Sequence, residues 1–329
     1  MTSCGFVALI GAPNSGKSTL INALVGAKVS IVSRKAQTTR AQIRGIAIRG
    51  EAQIIFVDTP GLFAPKRRLD RAMVASAWSA GGDADIVALL IDAREARAGG
   101  RAADRLAKAR EANEGGPTGE ESVVAGGFLV EQTETILEGL KKTSAPCALI
   151  INKIDLVERS ELLALARRLN ERRPFVDTFM ISATTGDGLD HLADRLALMM
   201  KPGPWLYPED QVSDAPLRAL AAEITREKLF ERLHDELPYQ STVETDSWTE
   251  QRNGSVRIEQ TIFVSRDSHK KIVIGEGGRT IKAIGVAARK EIAEANEGPV
   301  SLFLFVKVRE RWTDDPERYA AMGLEFPKE

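Results

Sequence analysis

The stretch Gly11-Ala-Pro-Asn-Ser-Gly-Lys-Ser18 constrains this chain more than any other. It matches G-x-x-x-x-G-K-[ST], follows the apolar run Phe6–Ile10 and precedes a helical pattern over Thr19–Val25. A strand, a glycine-rich loop and a helix in that order cradle phosphates. The glycines let backbone N–H groups turn inward around an anion, and the helix N-terminus adds partial positive charge. On this reading Gly11, Asn14, Ser15, Gly16, Lys17, Ser18 and Thr19 surround a polyphosphate. Lys17 reaches the β- and γ-phosphates, and Ser18 ligates Mg2+. Four further apolar runs supply a sheet around this loop: Gln53–Val57, Ile86–Ile91, Ala148–Ile151 and Thr178–Ile181. They are continuous rather than alternating, as strands buried on both faces are. Helical patterns separate them, which predicts an α/β doubly wound, mostly parallel sheet.

Asp58-Thr-Pro-Gly61 ends the second of these strands. An aspartate at the carboxyl end of a parallel strand lies beside the ligand crevice. Asp58 is expected to hold Mg2+ through water and the Gly61 N–H to meet the γ-phosphate, with Thr59, Pro60 and Leu62 at the nucleotide beside them. Asn152-Lys-Ile-Asp155 follows the fourth strand. Asp155 can accept hydrogen bonds from the N1–H and N2–H2 of guanine. Adenine lacks that donor pair, so the carboxylate selects GTP over ATP. Lys153 can lay its stem over the base, and Asn152 can tie its loop to the phosphate loop. Ser182-Ala-Thr184 follows the last strand, where the N–H of Ala183 is expected to meet guanine O6.

The segment Lys28–Arg44 carries five basic residues and no acidic one, and contains Gln37-Thr-Thr-Arg40. A threonine here completes a Mg2+ shell only when the γ-phosphate is present, which makes the segment an order–disorder switch. Thr39 is the first choice and Thr38 the second. Catalysis is assigned to Lys17, Thr39 and Gly61, and Arg40 is a candidate arginine finger.

The chain breaks at Lys201-Pro-Gly-Pro-Trp-Leu-Tyr-Pro208, half of it Pro or Gly,. Residues 1–201 therefore read as a nucleotide domain, 202–212 as a linker and 213–329 as a second domain. Ser213 or Asp214 is expected to cap a helix with Pro216 in its first turn and Leu217, Leu220 and Ile224 on one face. Strands over Gln240–Glu250 and Ser255–Val264 meet at Arg252-Asn253-Gly254, a hairpin signal,. Helices over Lys270–Ile274 and Arg279–Ala295 and a strand over Val300–Val308 follow. The segment of about 96–130, rich in Ala, Gly and Glu, fits neither half. It reads as an insertion whose 111–127 part is a mobile surface loop.

A length of 329 residues accommodates two domains,. Two cysteines, Cys4 and Cys147, are too few for a disulfide framework or a cysteine zinc site,. Apolar runs such as Ile86–Ile91 fall far short of the roughly 20 residues that span a bilayer. The N-terminus has no basic n-region and no cleavage site. A cytoplasmic protein is expected. The formal net charge of −1 argues at first sight against a nucleic-acid binder,. Yet the charge is segregated. Residues 265–290 hold seven basic and two acidic residues, and in their middle lies Ile274-Gly-Glu-Gly-Gly278. A G-x-x-G loop between two helices clamps the backbone of about four nucleotides. The candidate RNA-binding residues are Lys270, Lys271, Ile274, Gly275, Gly277, Gly278, Arg279 and Lys282. Glu276 is expected to point away from the phosphates.

These nucleotide motifs, in this order, resemble those of translation-factor-like GTPases. The rest of the chain narrows the likeness. Gln37-Thr-Thr-Arg40, Trp205-Leu-Tyr-Pro-Glu-Asp-Gln211, Ala222-Glu-Ile-Thr-Arg-Glu-Lys-Leu-Phe230, Pro238-Tyr239 and Val306-Lys-Val-Arg-Glu-Arg-Trp312 together resemble the Era family of bacterial, KH-domain-containing GTPases. The likeness covers nearly the whole chain. It implies a P-loop GTPase domain followed by an α+β type II KH domain, with GTP or GDP and Mg2+ as ligands. It further implies a monomer that binds 16S rRNA, assists maturation of the 30S ribosomal subunit precursor and makes peripheral inner-membrane contact. The 94 positions between Asp58 and Asn152 exceed the family norm by a few tens of residues. Leu62 stands where Ras-like enzymes carry a water-orienting Gln, so turnover is expected to be slow. Asn14 occupies the phosphate-loop place that holds K+ in related GTPases, which suggests K+-stimulated hydrolysis. Two other readings stay open: an RNA-modifying GTPase whose second half is catalytic, and a membrane-surface regulator that binds anionic lipid.

Overall fold

A computed structural model of the chain describes residues 1–33, 35, 38–96, 132–233, 237–310 and 315–327. Residues 97–130 of the insertion, and Gln37 of the switch, lie outside the described residues. The first layer system is a sheet in the order β2-β3-β1-β4-β5-β6. Its strands are β1 (Ser3–Gly11), β2 (Ile43–Arg49), β3 (Ala52–Asp58), β4 (Ile86–Asp92), β5 (Cys147–Asn152) and β6 (Thr178–Met180). All pair in parallel except β2, which runs antiparallel to β3.

Side chains alternate across β1. Val7 and Leu9 join one core with α1 (Lys17–Val25), while Ile10 joins the other. Leu192 and Leu196 of the helix Leu189–Met199 complete the first core. The second is closed by α2 (Arg68–Asp83), the helix over 132–140, called α3, and α4 (Arg159–Arg172). With Leu189–Met199 as α5, helices cover both faces, and that is why each strand is an unbroken apolar run.

Strand β2 was not foreseen, because Arg44, Gly45 and Arg49 interrupt its apolar pattern. Gly45 has a packing reason. A Cβ there would lie 2.7–3.3 Å from the side chains of Ile21, Val25 and Val29.

The expected linker is strapped to the sheet. A short strand β7 (Lys201–Pro202) pairs with the start of β1. The fully buried amide of Gln53 accepts the N–H groups of Leu206 (2.8 Å) and Tyr207 (3.1 Å) and donates to the Tyr207 carbonyl (2.8 Å). The Ile46 N–H meets the Val212 carbonyl at 2.9 Å.

The second unit is a three-stranded sheet in the order β10-β9-β8. Strands β8 (Ser241–Glu250) and β9 (Val256–Val264) form the antiparallel hairpin, and β10 (Val300–Val308) runs parallel to β9. Helices α6 (Leu217–Arg232), α7 (Asp267–Ile274) and α8 (Arg279–Ala295) pack on one face through Ile224, Leu229, Val273, Ile284, Ala288 and Ile292. Pro216 itself occupies the position before α6, with no side-chain cap. Ser213 and Asp214 are thus not its caps. The Ser213 hydroxyl donates to the Arg44 carbonyl at 2.9 Å and accepts the Ala215 N–H at 3.1 Å, fastening the strap to β2. A last helix, α9 (Pro316–Ala321), is capped by Asp315, a signal legible in Asp-Pro-Glu but not read,. Tyr319 and Leu324 bury themselves against Leu69, Ala72 and Met73 of α2, so the tail closes the two units together.

Candidate functional site

The loop between β1 and α1 takes the shape its sequence promised. Asn14 and Gly16 adopt positive φ, 63° and 101°. Gly16 is required there, because a Cβ would sit 2.3 Å from the amide nitrogen of Asn152,. Gly61 is required for a second close approach, since its Cβ would lie 2.8 Å from the backbone of Pro13. Asn14, Gly16, Lys17, Ser18, Thr19, Thr39, Gly61 and Lys153 line one cavity of about 1080 Å3.

Lys17 is 6% exposed and donates to the carbonyls of Gly11 (3.2 Å) and Ala12 (3.0 Å). Burial disfavours its charge and lowers its pKa to about 8, against the opposing pull of Asp58,. Asp58 is fully buried. Its Oδ2 accepts the hydroxyls of Ser30 (2.7 Å), Ser18 (2.8 Å) and Thr39 (3.2 Å). Burial raises its pKa; the three hydroxyls and Lys17 work the other way. The Ser18 and Thr39 hydroxyls are 3.1 Å apart. Thr38 also lines the cavity, but its hydroxyl donates to the Lys35 carbonyl at 2.7 Å rather than to Asp58.

Asn152 ties the loops together: its amide donates to the Ser15 carbonyl at 2.9 Å. Its Oδ1 accepts the N–H groups of Lys153 (2.8 Å) and Ala183 (3.0 Å). This corrects the expectation for Ala183, whose N–H is held by Asn152 rather than aimed at guanine O6; Thr184 lines the cavity instead. Ser182 is buried and accepts the Thr185 N–H at 3.2 Å. Asp155 is exposed between Lys153 and Leu156, both of which line the cavity.

Three neighbours of the second motif also differ from expectation. Thr59 is fully buried, and its hydroxyl donates to the Leu9 carbonyl at 2.6 Å. Pro60 is buried beside it. Leu62 packs in the core, and its N–H donates to the Gly11 carbonyl at 3.0 Å. They shape the loop and do not face the cavity. Arg40 is 4% exposed and turns away from the nucleotide cleft. Its guanidinium donates to the carbonyls of Ser241 (2.9 Å), Tyr239 (3.3 Å) and Pro238 (3.4 Å) in the second unit. It is not an arginine finger in this arrangement.

Several participants were missed. Asp92 ends β4 and pairs with the Lys153 ammonium, which also donates to the Asn14 carbonyl at 2.8 Å. The signal was the same as for Asp58, an aspartate at the carboxyl end of a parallel strand. Ser30, and Phe230 and Glu231 of α6 at the cavity wall, carry no local signature. The switch is clasped to the second unit. The Val32 N–H meets Glu227 at 2.7 Å, Lys28 pairs with Glu227 at 2.6 Å and with Glu291, and Arg226 donates to the Thr38 carbonyl.

In the second unit, Gly275 (φ 73°), Gly277 (φ 59°) and Gly278 (φ 77°) form the turn between α7 and α8. Lys271, Arg279 and Lys282 are exposed and Lys270 half-buried around it, while Ile274 is partly covered. Glu276 pairs with Arg279 at 2.5 Å, both strongly exposed, so one of the expected phosphate-binding cations is shared. Among the described residues no helix is long and apolar enough to cross a membrane.

Residues 6–153 match the family of 50S ribosome-binding GTPases, and residues 236–313 match the KH domain. The chain is 63% identical to the GTPase Era of Afipia carboxidovorans, over all of this chain and 96% of that one. It is 60% identical to that of Bradyrhizobium diazoefficiens, with the same coverage. Among solved structures it resembles an Aquifex aeolicus Era variant bound to GDP and aluminium fluoride, with a TM-score of 0.79 and 34% identity. An Era in complex with MgGDPNP and nucleotides 1506–1542 of 16S ribosomal RNA gives a TM-score of 0.80, also at 34% identity. Each structural likeness covers 98% of this chain and 99% of the other.

Proposed function

The chain belongs to the GTPase Era family, and on that premise we propose that it is a GTP-hydrolysing switch that grips 16S rRNA during maturation of the 30S subunit precursor. The observation that carries the reading is the convergence of Lys17, Ser18 and Thr39 on one nucleotide-sized cavity, with Asp58 buried behind the two hydroxyls. Asp58 Oδ1 is buried without a hydrogen-bond partner, and the hydroxyls of Ser18 and Thr39 stand beside the same carboxylate. Such a hard-oxygen donor set suits Mg2+. Ser18, Thr39 and, through water, Asp58 would hold the ion, which supplies charge neutralisation at the phosphates.

In the mechanism, Lys17 and the N–H groups of the phosphate loop stabilise charge on the transferring phosphoryl, and Gly61 brings its backbone against the same loop. Asp155 and the stem of Lys153 hold the base, with Asp92 fixing the Lys153 ammonium. Leu62 orients no water, because its side chain is in the core and its N–H is occupied. Turnover without a partner is therefore slow. Asn14, exposed at the cavity, is the group we assign to K+. Hydrolysis is expected to run faster in K+ than in Na+ at equal ionic strength; equal rates would remove Asn14 from that role.

The Gly275–Gly278 turn is assigned to the RNA backbone. Gly275 is a poor place to test it, since a Cβ would meet Thr280 within 2.2 Å. Gly277 has nothing within 4 Å of its Cβ, and its φ is one that aspartate tolerates,. Gly277→Asp adds a second carboxylate beside Glu276. It is expected to weaken binding of a 16S 3′-end RNA by about tenfold or more, by filter binding at fixed salt. GTP hydrolysis without RNA is expected to stay unchanged. Undiminished RNA binding would move the clamp elsewhere. A cytoplasmic location with peripheral inner-membrane contact accords with the family reading. The protein is taken to act as a monomer.

A further inference from the structure

The helices of the second unit cover only one face of its sheet. On β10 the even-numbered residues Leu302, Leu304 and Val306 point into the cores under α6, α7 and α8. The odd-numbered residues Ser301, Phe303, Phe305 and Lys307 point to the other side and are exposed. Phe303 and Phe305 are 44% and 48% exposed, two residues apart on the same face. The chain treats a third phenylalanine of that face differently. Phe263 stands opposite Lys307 in register, and the Arg318 guanidinium of α9 lies 4.4 Å from its ring centroid. The C-terminal segment thus shields one ring and leaves the next two about half exposed.

Their surroundings are cationic at both ends. The guanidinium of Arg257, opposite Ser301 on β9, lies 4.7 Å from the Phe303 ring centroid. Lys307 follows Phe305 by two residues. Three acidic residues among those described share the face and each is engaged: Glu259 by Arg257 at 2.6 Å, Glu244 by Arg318, and Asp246 by the Thr261 hydroxyl at 2.6 Å. Among the described residues β10 pairs only with β9, so its outer edge is free. That edge separates the open face from the helical layer that bears Gly275–Gly278. An RNA strand leaving the glycine turn can therefore pass over β10 onto the aromatic face.

We propose that Phe303 and Phe305 form a stacking platform for single-stranded RNA bases beyond the segment clamped at the glycine turn, with Arg257 and Lys307 meeting the phosphates. Two half-exposed rings, Phe303 with Arg257 on one side and Phe305 beside Lys307, are a chemistry that recognises unpaired bases, because every base has a π-face,. A lone apolar pair is also what a second copy of the chain would cover. The cations at both ends and the adjoining clamp favour the nucleic acid. The proposal rests on the RNA-binding reading above, and its test separates the two.

The probe is 16S 3′-end RNA of two lengths, four and twelve nucleotides, with 2-aminopurine at bases outside the clamped segment of the longer one. The variant is Phe303→Leu with Phe305→Leu in the full chain, and Phe305→Tyr, which keeps a ring, is the rescue. For the long RNA, the leucine variant is expected to bind about tenfold more weakly and to lose the 2-aminopurine quenching, while the tyrosine variant retains both. Affinity for the short RNA is expected to be unchanged. Equal affinity of the wild type and the leucine variant for the long RNA would overturn the platform and leave the clamp standing. A wild type that binds neither RNA would overturn both. A wild-type dimer abolished by the leucine variant, with RNA binding intact, would assign the face to a second copy instead.

Discussion

Replacing Lys17 by alanine is expected to lower single-turnover GTP hydrolysis about 10²–10³-fold, the usual consequence of deleting one donor that meets developing charge. The ammonium is held in place before any nucleotide arrives, donating to the Gly11 and Ala12 carbonyls at 3.2 and 3.0 Å. Its removal leaves the loop supported, because Gly11 still accepts the Leu62 N–H and Asn152 still holds Ser15. The fold should therefore survive, as a thermal melt would show. The same residue sets a pH signature. Burial lowers its pKa to about 8, and the phosphates require the charged form. Above pH 8 the empty site holds a neutral lysine, so binding must take up a proton. GDP affinity of the wild type is then expected to fall towards about tenfold per pH unit from pH 8 to 9, while the alanine variant lacks that slope. A variant that hydrolyses saturating GTP at the wild-type rate, or a flat wild-type profile, would refute the assignment.

Asp155→Asn is expected to change which base is held. Asp155 is exposed beside Lys153 and Leu156 at the cavity, on a turn fixed by the Ile154 N–H to the Ile181 carbonyl at 3.2 Å. A carboxylate offers two acceptors to the N1–H and N2–H2 of guanine. Asparagine keeps one acceptor and turns a donor towards the exocyclic amine, which suits the carbonyl of xanthine instead. Sites that hydrogen-bond a specific ligand group reject the mismatched analogue by about 10⁴-fold, and part of that range should appear as lost GDP affinity and gained XDP affinity. Competition of GDP and XDP against a fluorescent nucleotide measures it. A variant that still prefers GDP would place the guanine elsewhere. Neither protein should gain ATP, since adenine carries only a C–H at position 2, so neither a carboxylate nor an amide finds two partners there.

The nucleotide motifs were legible because their chemistry is contiguous. A positive φ at Gly16, a buried Lys17 and a hydroxyl at Ser18 arise within one turn of chain, and the strand before and helix after them are local too. Thr39 over Thr38 was legible for the same reason, one place in a short switch. Strand β2 was not, since its arginines and Gly45 hide an apolar pattern that only packing on Ile21, Val25 and Val29 explains. Ala183 misled, because its N–H and Asn152 Oδ1 meet across 31 positions. Leu62 reads from its motif as a nucleotide neighbour, yet its side chain packs in the core and its N–H is taken by the Gly11 carbonyl, a contact between loops 51 positions apart.

Taken alone, the sequence determined the class of this protein: a phosphate loop, then D-T-P-G and N-K-I-D turns after two later strands in fixed order, then a glycine turn in a basic field. Each is a short pattern whose geometry its own residues enforce. Tertiary structure alone decided how the two halves meet. Lys28, Lys35 and Arg40 read as part of a basic switch segment, yet their partners Glu227, Leu233 and Ser241 lie about 200 residues away. Burying those cations is tolerable only because carbonyls and carboxylates of the other unit satisfy them, and nothing in the local sequence can announce a partner that distant. The same holds for Phe303 and Phe305: their spacing makes a strand, but only the fold shows which face the helices leave open.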